Sequence, residues 1–290
     1  MFVVAGVTGN TGSVVADALL AAGAPVRVLL RDAQRAAEWI ARGAEVAQAD
    51  LTDVAALASA LRGADAAYLL VPPNVQVEDP IADARRVADA LAEAADRAQL
   101  PHAAILSAFG SQQADSPGML ATTRLFEQRM QRIAGRLTIL RAASFFETSA
   151  PMMLLGAQTG EMPSLVALDR RFEQIAAADF GRIAVAAMTA PGDDHRRLIE
   201  ISGARAYSAN EMAAAVAAVA RRAVRAVLVP PEQRVPALTA IGMGPRYAAL
   251  VVEICDAISA GRAGFAGDAP VRGAVTLEDW LRRTLATPPR

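Results

Sequence analysis

Residues 2–12, Phe-Val-Val-Ala-Gly-Val-Thr-Gly-Asn-Thr-Gly, join a short apolar segment to a turn that contains three glycines. The apolar segment, residues 2–5, predicts a strand, and residues 13–22, whose apolar side chains recur on one face, predict the helix that follows. Gly23 ends that helix, and residues 25–30 predict a second strand. A strand, a glycine turn, a helix and a second strand in this order form the arrangement that binds the pyrophosphate of a dinucleotide.

Each glycine of the turn meets a different physical requirement. Gly6 lets the chain leave the strand sharply, Gly9 leaves no Cβ between the backbone and the phosphate oxygens, and Gly12 lets the helix approach the sheet. The unpaired N–H groups at the start of the helix then face the anion. A tight turn without a ligand is the alternative interpretation. The turn residues predicted to bind the cofactor are Gly6, Thr8, Gly9, Asn10, Thr11 and Gly12.

Strand and helix patterns alternate through the first half of the chain. Residues 66–71, for example, are a continuous apolar run, which is typical of a buried parallel strand. The alternation predicts an α/β fold, a Rossmann-type doubly wound parallel sheet with helices on both faces. The further strands are predicted at residues 45–49, 66–71, 102–106 and 137–140, and the helices at 33–42, 53–62, 81–98 and 119–133.

The pattern changes after residue 143. Residues 144–155 are apolar without a helical or strand period and are interpreted as a loop. A strand near residues 197–202 is expected to return to the sheet. We therefore predict a NAD(P)-binding core over residues 1–143 and a smaller C-terminal lobe over residues 144–290. The lobe is expected to be mainly substrate-binding and not to fold as an independent domain.

Composition narrows the class of protein. The 290 residues carry a formal net charge of −1 and a hydrophobic content of 53%. The near-neutral charge argues against nucleic acid as a partner, and no apolar run reaches the length of a membrane span. A single cysteine, Cys255, excludes an internal disulfide and fits a reducing compartment. We expect a cytoplasmic protein without a metal site, since only two histidines accompany that cysteine; a homodimer stays open.

Ligands of doubly wound sheets bind beyond the carboxyl ends of the strands. An arginine there, such as Arg31 after the second strand, can form a charge-assisted fork with a 2′-phosphate, which favours NADPH as cofactor. Asp32 keeps NADH open, because a carboxylate accepts hydrogen bonds from an adenosine ribose. The cofactor contacts predicted at strand ends are Arg31, Asp50, Leu51, Val71, Pro72 and Ser107.

Several of these positions allow a second interpretation. Asp50 could accept a hydrogen bond from the adenine amino group or cap the turn into the next helix. Pro72 could line the nicotinamide side of the cleft or only end its strand. A group of apolar side chains is predicted to form the wall for a flat substrate, with core packing as the alternative. The wall consists of Phe109, Phe145, Phe146 and Met152.

The sequence resembles the NmrA-like branch of the atypical short-chain dehydrogenase/reductases. The resemblance lies in residues 4–12, 26–32 and 49–53, and continues in residues 137–142 and 177–184. It spans most of the chain and implies NAD(P) binding through the glycine turn and the arginine that follows the second strand. The family includes NAD(P)H:quinone oxidoreductases, triphenylmethane dye reductases and regulators that sense the cofactor.

One departure from the larger superfamily bears on mechanism. Its ordinary reductases use a Tyr-x-x-x-Lys pair, in which the tyrosine is the acid and the lysine lowers its pKa. The present sequence contains no lysine, and its tyrosines are Tyr68, Tyr207 and Tyr247. The helix that should carry the pair offers instead Thr122, Thr123, Arg124 and Glu127.

The absence of the Tyr-x-x-x-Lys pair decides which functional hypotheses are favoured. Ketone reduction needs a proton for the developing alkoxide, so an ordinary ketoreductase or epimerase is disfavoured. A quinone or a cationic dye is electron-poor enough to accept hydride without that acid. We predict an NADPH-dependent oxidoreductase that transfers hydride to a quinone-like or other conjugated small-molecule acceptor, with its catalytic residues unassigned. A non-catalytic protein that senses NADP(H) and binds a partner protein is the alternative.

Overall fold

A computed structural model describes residues 1–267 and 269–286. Strands and helices alternate along the chain as far as residue 142. The strands are β1 (Phe2–Val4), β2 (Val26–Leu30), β3 (Glu45–Gln48), β4 (Ala66–Leu69), β5 (His102–Ala108), β6 (Arg136–Ala142), β7 (Ser144–Phe145), β8 (Glu161–Ser164), β9 (Phe172–Ile175), β10 (Arg196–Ser202), β11 (Ala206–Tyr207), β12 (Arg225–Leu228) and β13 (Val271–Arg272).

The helices connect these strands and cover the faces of the large sheet. A short 3₁₀ turn at Ala33–Arg35 precedes the second helix. The helices are α1 (Asn10–Ala21), α2 (Ala36–Ala41), α3 (Val54–Leu61), α4 (Pro80–Arg97), α5 (Leu120–Met130), α6 (Phe146–Thr159), α7 (Ala177–Thr189), α8 (Ala209–Ala220), α9 (Pro231–Ala240), α10 (Pro245–Ser259) and α11 (Leu277–Ala286).

Eight strands form one sheet in the order β13-β10-β6-β5-β4-β1-β2-β3, and every neighbouring pair is parallel. In β1, Val4 lies between Val28 of β2 and Tyr68 of β4. The chain winds outward in one direction through β2 and β3 and in the other through β4, β5 and β6. The crevice where the direction reverses lies beyond the carboxyl ends of β1 and β4, which is where such sheets bind ligands. The predicted doubly wound α/β fold is confirmed.

Alternation of side chains along the strands produces one apolar core on each face of the sheet. On one face Val3 and Leu69 pack with α3, α4 and α5, and Phe126 of α5 is fully buried there. On the other face Val4 and Tyr68 pack with α1 and α7. Because both faces are covered, the central strands are apolar on both sides, which explains the unbroken apolar runs in the sequence.

The chain after residue 143 contributes to both the sheet and a smaller lobe. Strands β10 and β13 extend the large sheet beyond β6, while β7, β9 and β11 form a separate small sheet and β8 pairs with β12. Helices α6, α8 and α11 surround a third core around Phe146 and Tyr207. The lobe is therefore anchored to the sheet by β10 and β13, which lie between its own elements in sequence.

The interpretation of residues 144–155 as a loop is wrong, since these residues form β7 and most of α6. Pro151 inside α6 hid the helix, because proline lacks the N–H that an interior helical position donates. The helix is held by tertiary contacts instead. Glu147 in its first turn accepts hydrogen bonds from the Ala177 N–H at 3.1 Å and from Trp280 Nε1 at 2.9 Å.

Across residues 1–267 and 269–286, no helix is both long and apolar enough to cross a lipid bilayer.

Candidate functional site

The glycine turn connects β1 to α1 at the crevice of the sheet. Gly6 has a φ of +68° and faces Leu70, so both its backbone and its contact favour glycine. A Cβ on Gly12 would lie 2.4 Å from the carbonyl carbon of Gly6, so glycine there lets α1 pack directly on the strand end. A Cβ on Gly9 would meet only the Gly6 carbonyl oxygen, at 3.4 Å. Open space therefore lies above Gly9, at the start of α1.

Helix α1 begins at this open space without a side-chain cap and without an acidic residue in its first turn. The N–H groups of a first turn have no partner within their helix, and the partial positive charge there favours an anion. Thr8 and Asn10 are exposed beside it, whereas Thr11 is largely buried next to the Tyr68 phenol. The open space above Gly9, the free N–H donors of the first turn and the positive end of the helix dipole therefore fit a phosphate group on the open side of the turn.

Two charged residues, Arg31 and Asp32, follow β2, and only one of them is free to bind a ligand. Asp32 Oδ1 accepts a hydrogen bond from the Gln34 N–H at 2.8 Å and so caps the 3₁₀ turn that follows. Arg31 is exposed, and its guanidinium has no hydrogen bond or ion pair within the described part of the chain. The charge of Arg31 acts on Asp50, after the end of β3, and helps to lower the pKa of that carboxyl. The arginine is thus the free group at this corner of the crevice.

Asp50 is engaged in local structure. Its Oδ1 accepts hydrogen bonds from the Thr52 N–H at 2.9 Å and the Thr52 hydroxyl at 2.6 Å. The Thr52 hydroxyl is the largest of the influences that lower the pKa of Asp50, and Arg31 adds to it. The geometry favours the capping interpretation for this residue, while Asp53 supplies the actual N-cap of α3. Leu51 and Val71 are half-buried, and Pro72 is exposed beyond the end of β4.

An apolar cavity of about 410 Å³ opens beyond the carboxyl ends of β5 and β6. Residues 106–109 and 142–145 line it from the sheet, a surface that we call the sheet wall. The side chains of α9 and α10, from Leu238 to Ile258, line it from the second lobe and form the helical wall. The cavity also receives Met152 of α6. Its volume is in the range that suits a small organic ligand.

The predicted substrate wall is only partly assembled around this cavity. Phe109, Phe145 and Met152 line it, but Phe146 does not. Phe146 is fully buried in the core of the second lobe, where its ring lies 5.8 Å from that of Tyr207 and 5.8 Å from that of Trp280. The alternation at the β7–α6 junction sends adjacent phenylalanines to opposite sides, so Phe146 has the core-packing role.

Ser107 is held by a buried ionic network below the cavity. Its hydroxyl donates a hydrogen bond to Glu127 Oε1 at 2.5 Å. Arg141, at the end of β6, donates to both carboxylate oxygens of Glu127, at 2.8 and 2.7 Å. Hydrogen bonding to Glu127 raises the pKa of Arg141, so the arginine stays ionised. The serine proton is thereby directed away from the cavity, and its oxygen can face a ligand only as an acceptor.

Two features of the site were not predicted from the sequence. One is the pairing of Glu127 with Arg141, although an arginine inside an apolar strand requires a buried partner. The other is the helical wall, whose signal was the recurrence of Tyr247, Val251 and Cys255 at four-residue spacing on α10. Both depend on contacts between segments far apart in the chain.

A doubly wound sheet with a glycine turn at its switch point and an apolar cavity beside it defines a class of dinucleotide-binding α/β proteins. The chain belongs to the NmrA-like family, which matches residues 1–252. The resemblance noted in the sequence is confirmed by this match.

Individual relatives agree with the family assignment. The chain is 31% identical to an NAD(P)H azoreductase of Xenophilus azovorans over 246 residues, which cover 84% of this chain and 82% of the azoreductase. Among solved structures, it is similar to an NADPH-dependent quinone oxidoreductase from Escherichia coli complexed with NADPH, with a TM-score of 0.81, 21% identity and coverage of 98% and 100%. A triphenylmethane reductase of Citrobacter sp. gives a TM-score of 0.83, 17% identity and 99% coverage of both chains. The two structural likenesses establish the fold.

Proposed function

We propose that this protein is an NADPH-dependent reductase that transfers hydride to a quinone-like or other conjugated acceptor without a Tyr-Lys pair. The observation that carries the proposal is the apolar cavity at the ends of β5 and β6, on the same edge of the sheet as the open glycine turn. A cofactor whose pyrophosphate lies on the turn extends along this edge toward the cavity. The similarity to an NAD(P)H azoreductase and to an NADPH-dependent quinone oxidoreductase supports the same class of reaction.

The cofactor contacts proposed for this chain follow from the geometry of the crevice. The first turn of α1 would hold the pyrophosphate, with Thr8 and Asn10 as additional donors. Arg31 would form a fork with the 2′-phosphate, because it has no other hydrogen-bonding partner in the described residues while Asp32 is used as a cap. NADH remains the second possibility. The bound cofactor supplies the hydride.

The acceptor class follows from the walls of the cavity. Aromatic and sulfur-containing side chains such as Phe109, Phe145 and Met152 suit a flat, polarisable molecule. In α5, where the Tyr-Lys pair would lie, Thr123 donates to the Leu120 carbonyl at 2.9 Å and Glu127 binds Arg141. Thr123 thus directs its proton to the backbone, and the Glu127 carboxylate acts only as an acceptor, so neither group presents a proton to the cavity. Orientation of the acceptor against the cofactor is then the main contribution of the site.

Thermal unfolding with matched concentrations of NADPH and NADH tests the cofactor site. NADPH should raise the melting temperature of the wild type, and Arg31→Ala should reduce that shift while leaving the shift with NADH unchanged. Loss of a charge-assisted pair of hydrogen bonds corresponds to about 2 kcal/mol, or roughly a 30-fold loss of NADPH affinity. Equal shifts for both cofactors in both proteins would refute the role of Arg31.

Oxidation of NADPH in the presence of quinones, azo dyes and cationic dyes tests the reaction. Turnover of at least one conjugated acceptor is expected. NADPH binding without turnover of any acceptor would instead favour the cofactor-sensing alternative, which predicts a partner protein that is recovered only at one redox state of the cofactor.

A further inference from the structure

Seven side chains that line the cavity carry a hydroxyl group, and three of them are already committed as donors. Ser107 donates to Glu127, Thr123 donates to the Leu120 carbonyl, and Ser164 donates to the Val166 carbonyl at 2.6 Å. A hydroxyl has one proton, so these three groups can only accept hydrogen bonds from a ligand. The complete set is Ser107, Thr123, Ser144, Thr148, Ser149, Ser164 and Tyr247.

The other four hydroxyls make no hydrogen bond within the described residues, and they differ in acidity. Tyr247 is the phenol among them. Burial raises the pKa of this phenol above its ordinary value, but serine and threonine hydroxyls are weaker acids still. Tyr247 is also the most enclosed, at 9% exposure, while Thr148 is exposed. The Cys255 thiol lines the cavity as well, but a thiol is a weak hydrogen-bond donor, and burial raises its pKa to about 11.

Tyr247 lines the cavity from the end of α10 that contacts the segment after β4. It lies in the first turn of α10, three residues after Gly244, whose N–H donates to the Val75 carbonyl at 2.7 Å. Val75 belongs to the segment that follows β4, and β4 borders the switch-point crevice. The start of α10 is therefore fixed to the edge of the sheet where the cofactor is proposed to lie.

The middle of α10 is fixed to the loop between β5 and α5. Glu253 accepts a hydrogen bond from the Gly118 N–H at 3.1 Å, and a Cβ on Gly118 would lie 2.0 Å from the Leu250 carbonyl oxygen. Gly118 belongs to the segment between β5 and α5. Helix α10 thus contacts the loops after both β4 and β5, and these contacts hold the ring of Tyr247 in place over the cavity.

We infer that Tyr247 is the proton donor of the reductase, in place of the missing Tyr-Lys pair; this inference rests on the proposed function. Two electrons reach the acceptor with the hydride. The O–H bond of Tyr247 breaks as its proton moves to the acceptor atom that gains negative charge, an oxygen of a quinone or the second nitrogen of an azo group. The phenolate then takes a proton from water.

The test compares acceptors that need a proton with one that does not. A quinone or azo compound takes up a proton as well as the hydride to complete its reduction, whereas a cationic triphenylmethane dye becomes neutral on accepting hydride alone. Tyr247→Phe should lower kcat for the quinone and the azo compound by about 10²-fold or more. Its kcat with the cationic dye should equal that of the wild type, and its affinity for NADPH should be unchanged.

Tyr207→Phe is the matched control. It removes the same hydroxyl from a tyrosine that lies outside the cavity and accepts a hydrogen bond from the Leu277 N–H at 3.0 Å. Below its own melting temperature, this variant should keep wild-type kcat with every acceptor. If the wild type does not reduce the dye, the solvent deuterium isotope effect on quinone reduction is the readout, and it should be lost in Tyr247→Phe.

Three results would overturn the assignment, and they can be told apart. Unchanged quinone reduction by Tyr247→Phe would show that the phenol supplies no proton. An equal loss with quinone and dye, or an isotope effect that persists in the variant, would make Tyr247 a structural residue only. Failure of the wild type to reduce any acceptor while binding NADPH would refute the proposed function itself, and the inference with it.

Discussion

Substitution of Gly9 by alanine separates cofactor binding from folding. The backbone at Gly9 has φ −108° and ψ 177°, an extended conformation that alanine adopts freely. The added Cβ meets no protein atom closer than the Gly6 carbonyl oxygen at 3.4 Å. It occupies the open space in front of α1, where the phosphate oxygens are proposed to lie. We therefore expect a folded protein that has lost NADPH.

The magnitude can be worked from the geometry. Alanine is a poorer N-cap than glycine, which costs about 0.5–1 kcal/mol of stability, or roughly 1–4 °C in melting temperature. NADPH at about 100 times its Kd stabilises the wild type by about 2.7 kcal/mol. If the Cβ weakens binding about 100-fold, the same concentration stabilises Gly9→Ala by only about 0.4 kcal/mol, which is roughly 1 °C.

Gly12→Ala is the matched comparison, because the same atom is added three residues later. Its Cβ would lie 2.4 Å from the carbonyl carbon of Gly6 and 2.5 Å from the carbonyl oxygen of Ala5. Helix α1 would have to move by about 1 Å, and forced contacts of this kind cost about 1–3 kcal/mol. This variant should lose several degrees in melting temperature before any ligand is added.

The assay is thermal unfolding of the three proteins with and without NADPH, supported by titration of the intrinsic fluorescence of NADPH. A Gly9→Ala variant that keeps the wild-type NADPH shift would refute the placement of the pyrophosphate on this turn. A Gly9→Ala variant as destabilised as Gly12→Ala in the absence of ligand would refute the claim that the space above Gly9 is open.

Two further predictions concern buried ionisable groups. Glu127→Ala leaves the Arg141 charge buried without its partner and should lower the free energy of unfolding in urea by about 3–5 kcal/mol. The double variant Glu127→Leu with Arg141→Met should recover most of that loss. A minor effect of the single substitution would contradict the buried ion pair. Burial lowers the pKa of His102 from 6.5 to about 4. Between these two pH values the unfolded chain binds a proton that the folded chain excludes. The free energy of unfolding should therefore fall as the pH drops from about 6.5 toward 4, by up to about 3 kcal/mol. Denaturant unfolding across this pH range should show a shallower decline for His102→Gln, and parallel curves for the two proteins would be inconsistent with a neutral buried histidine.

The fold was predictable because its signals are local. The glycine turn, the alternation of apolar runs with helical patterns, and caps such as Asp53 each act over a few residues and agree with one another. The second lobe was less predictable, since α6 contains a proline and is stabilised by Glu147 contacts with α7 and α11 rather than by its own sequence.

The candidate site also has parts that follow from local sequence signals and parts that depend on tertiary contacts. The turn and Arg31 could be proposed as cofactor contacts from spacing alone, because they follow directly from the positions of the strand ends. Phe146 could not be assigned, since adjacent phenylalanines carry no signal of which one faces a core. The contribution of Tyr247 depends on α10 lying across the loops after β4 and β5, which only the tertiary structure shows.

The two walls of the cavity come from separate segments of the chain. The sheet wall lies in residues 106–145, among the strands that also set the geometry of the crevice, whereas the helical wall begins only at Leu238. Substitutions at cavity-lining positions of the helical wall therefore leave unchanged the strands that are proposed to hold the nucleotide. Such a division allows the acceptor to change while the proposed coenzyme site is kept. The positions to randomise in directed evolution are the cavity-lining residues of the helical wall other than Tyr247, namely Leu238, Met243, Val251, Ile254, Cys255 and Ile258.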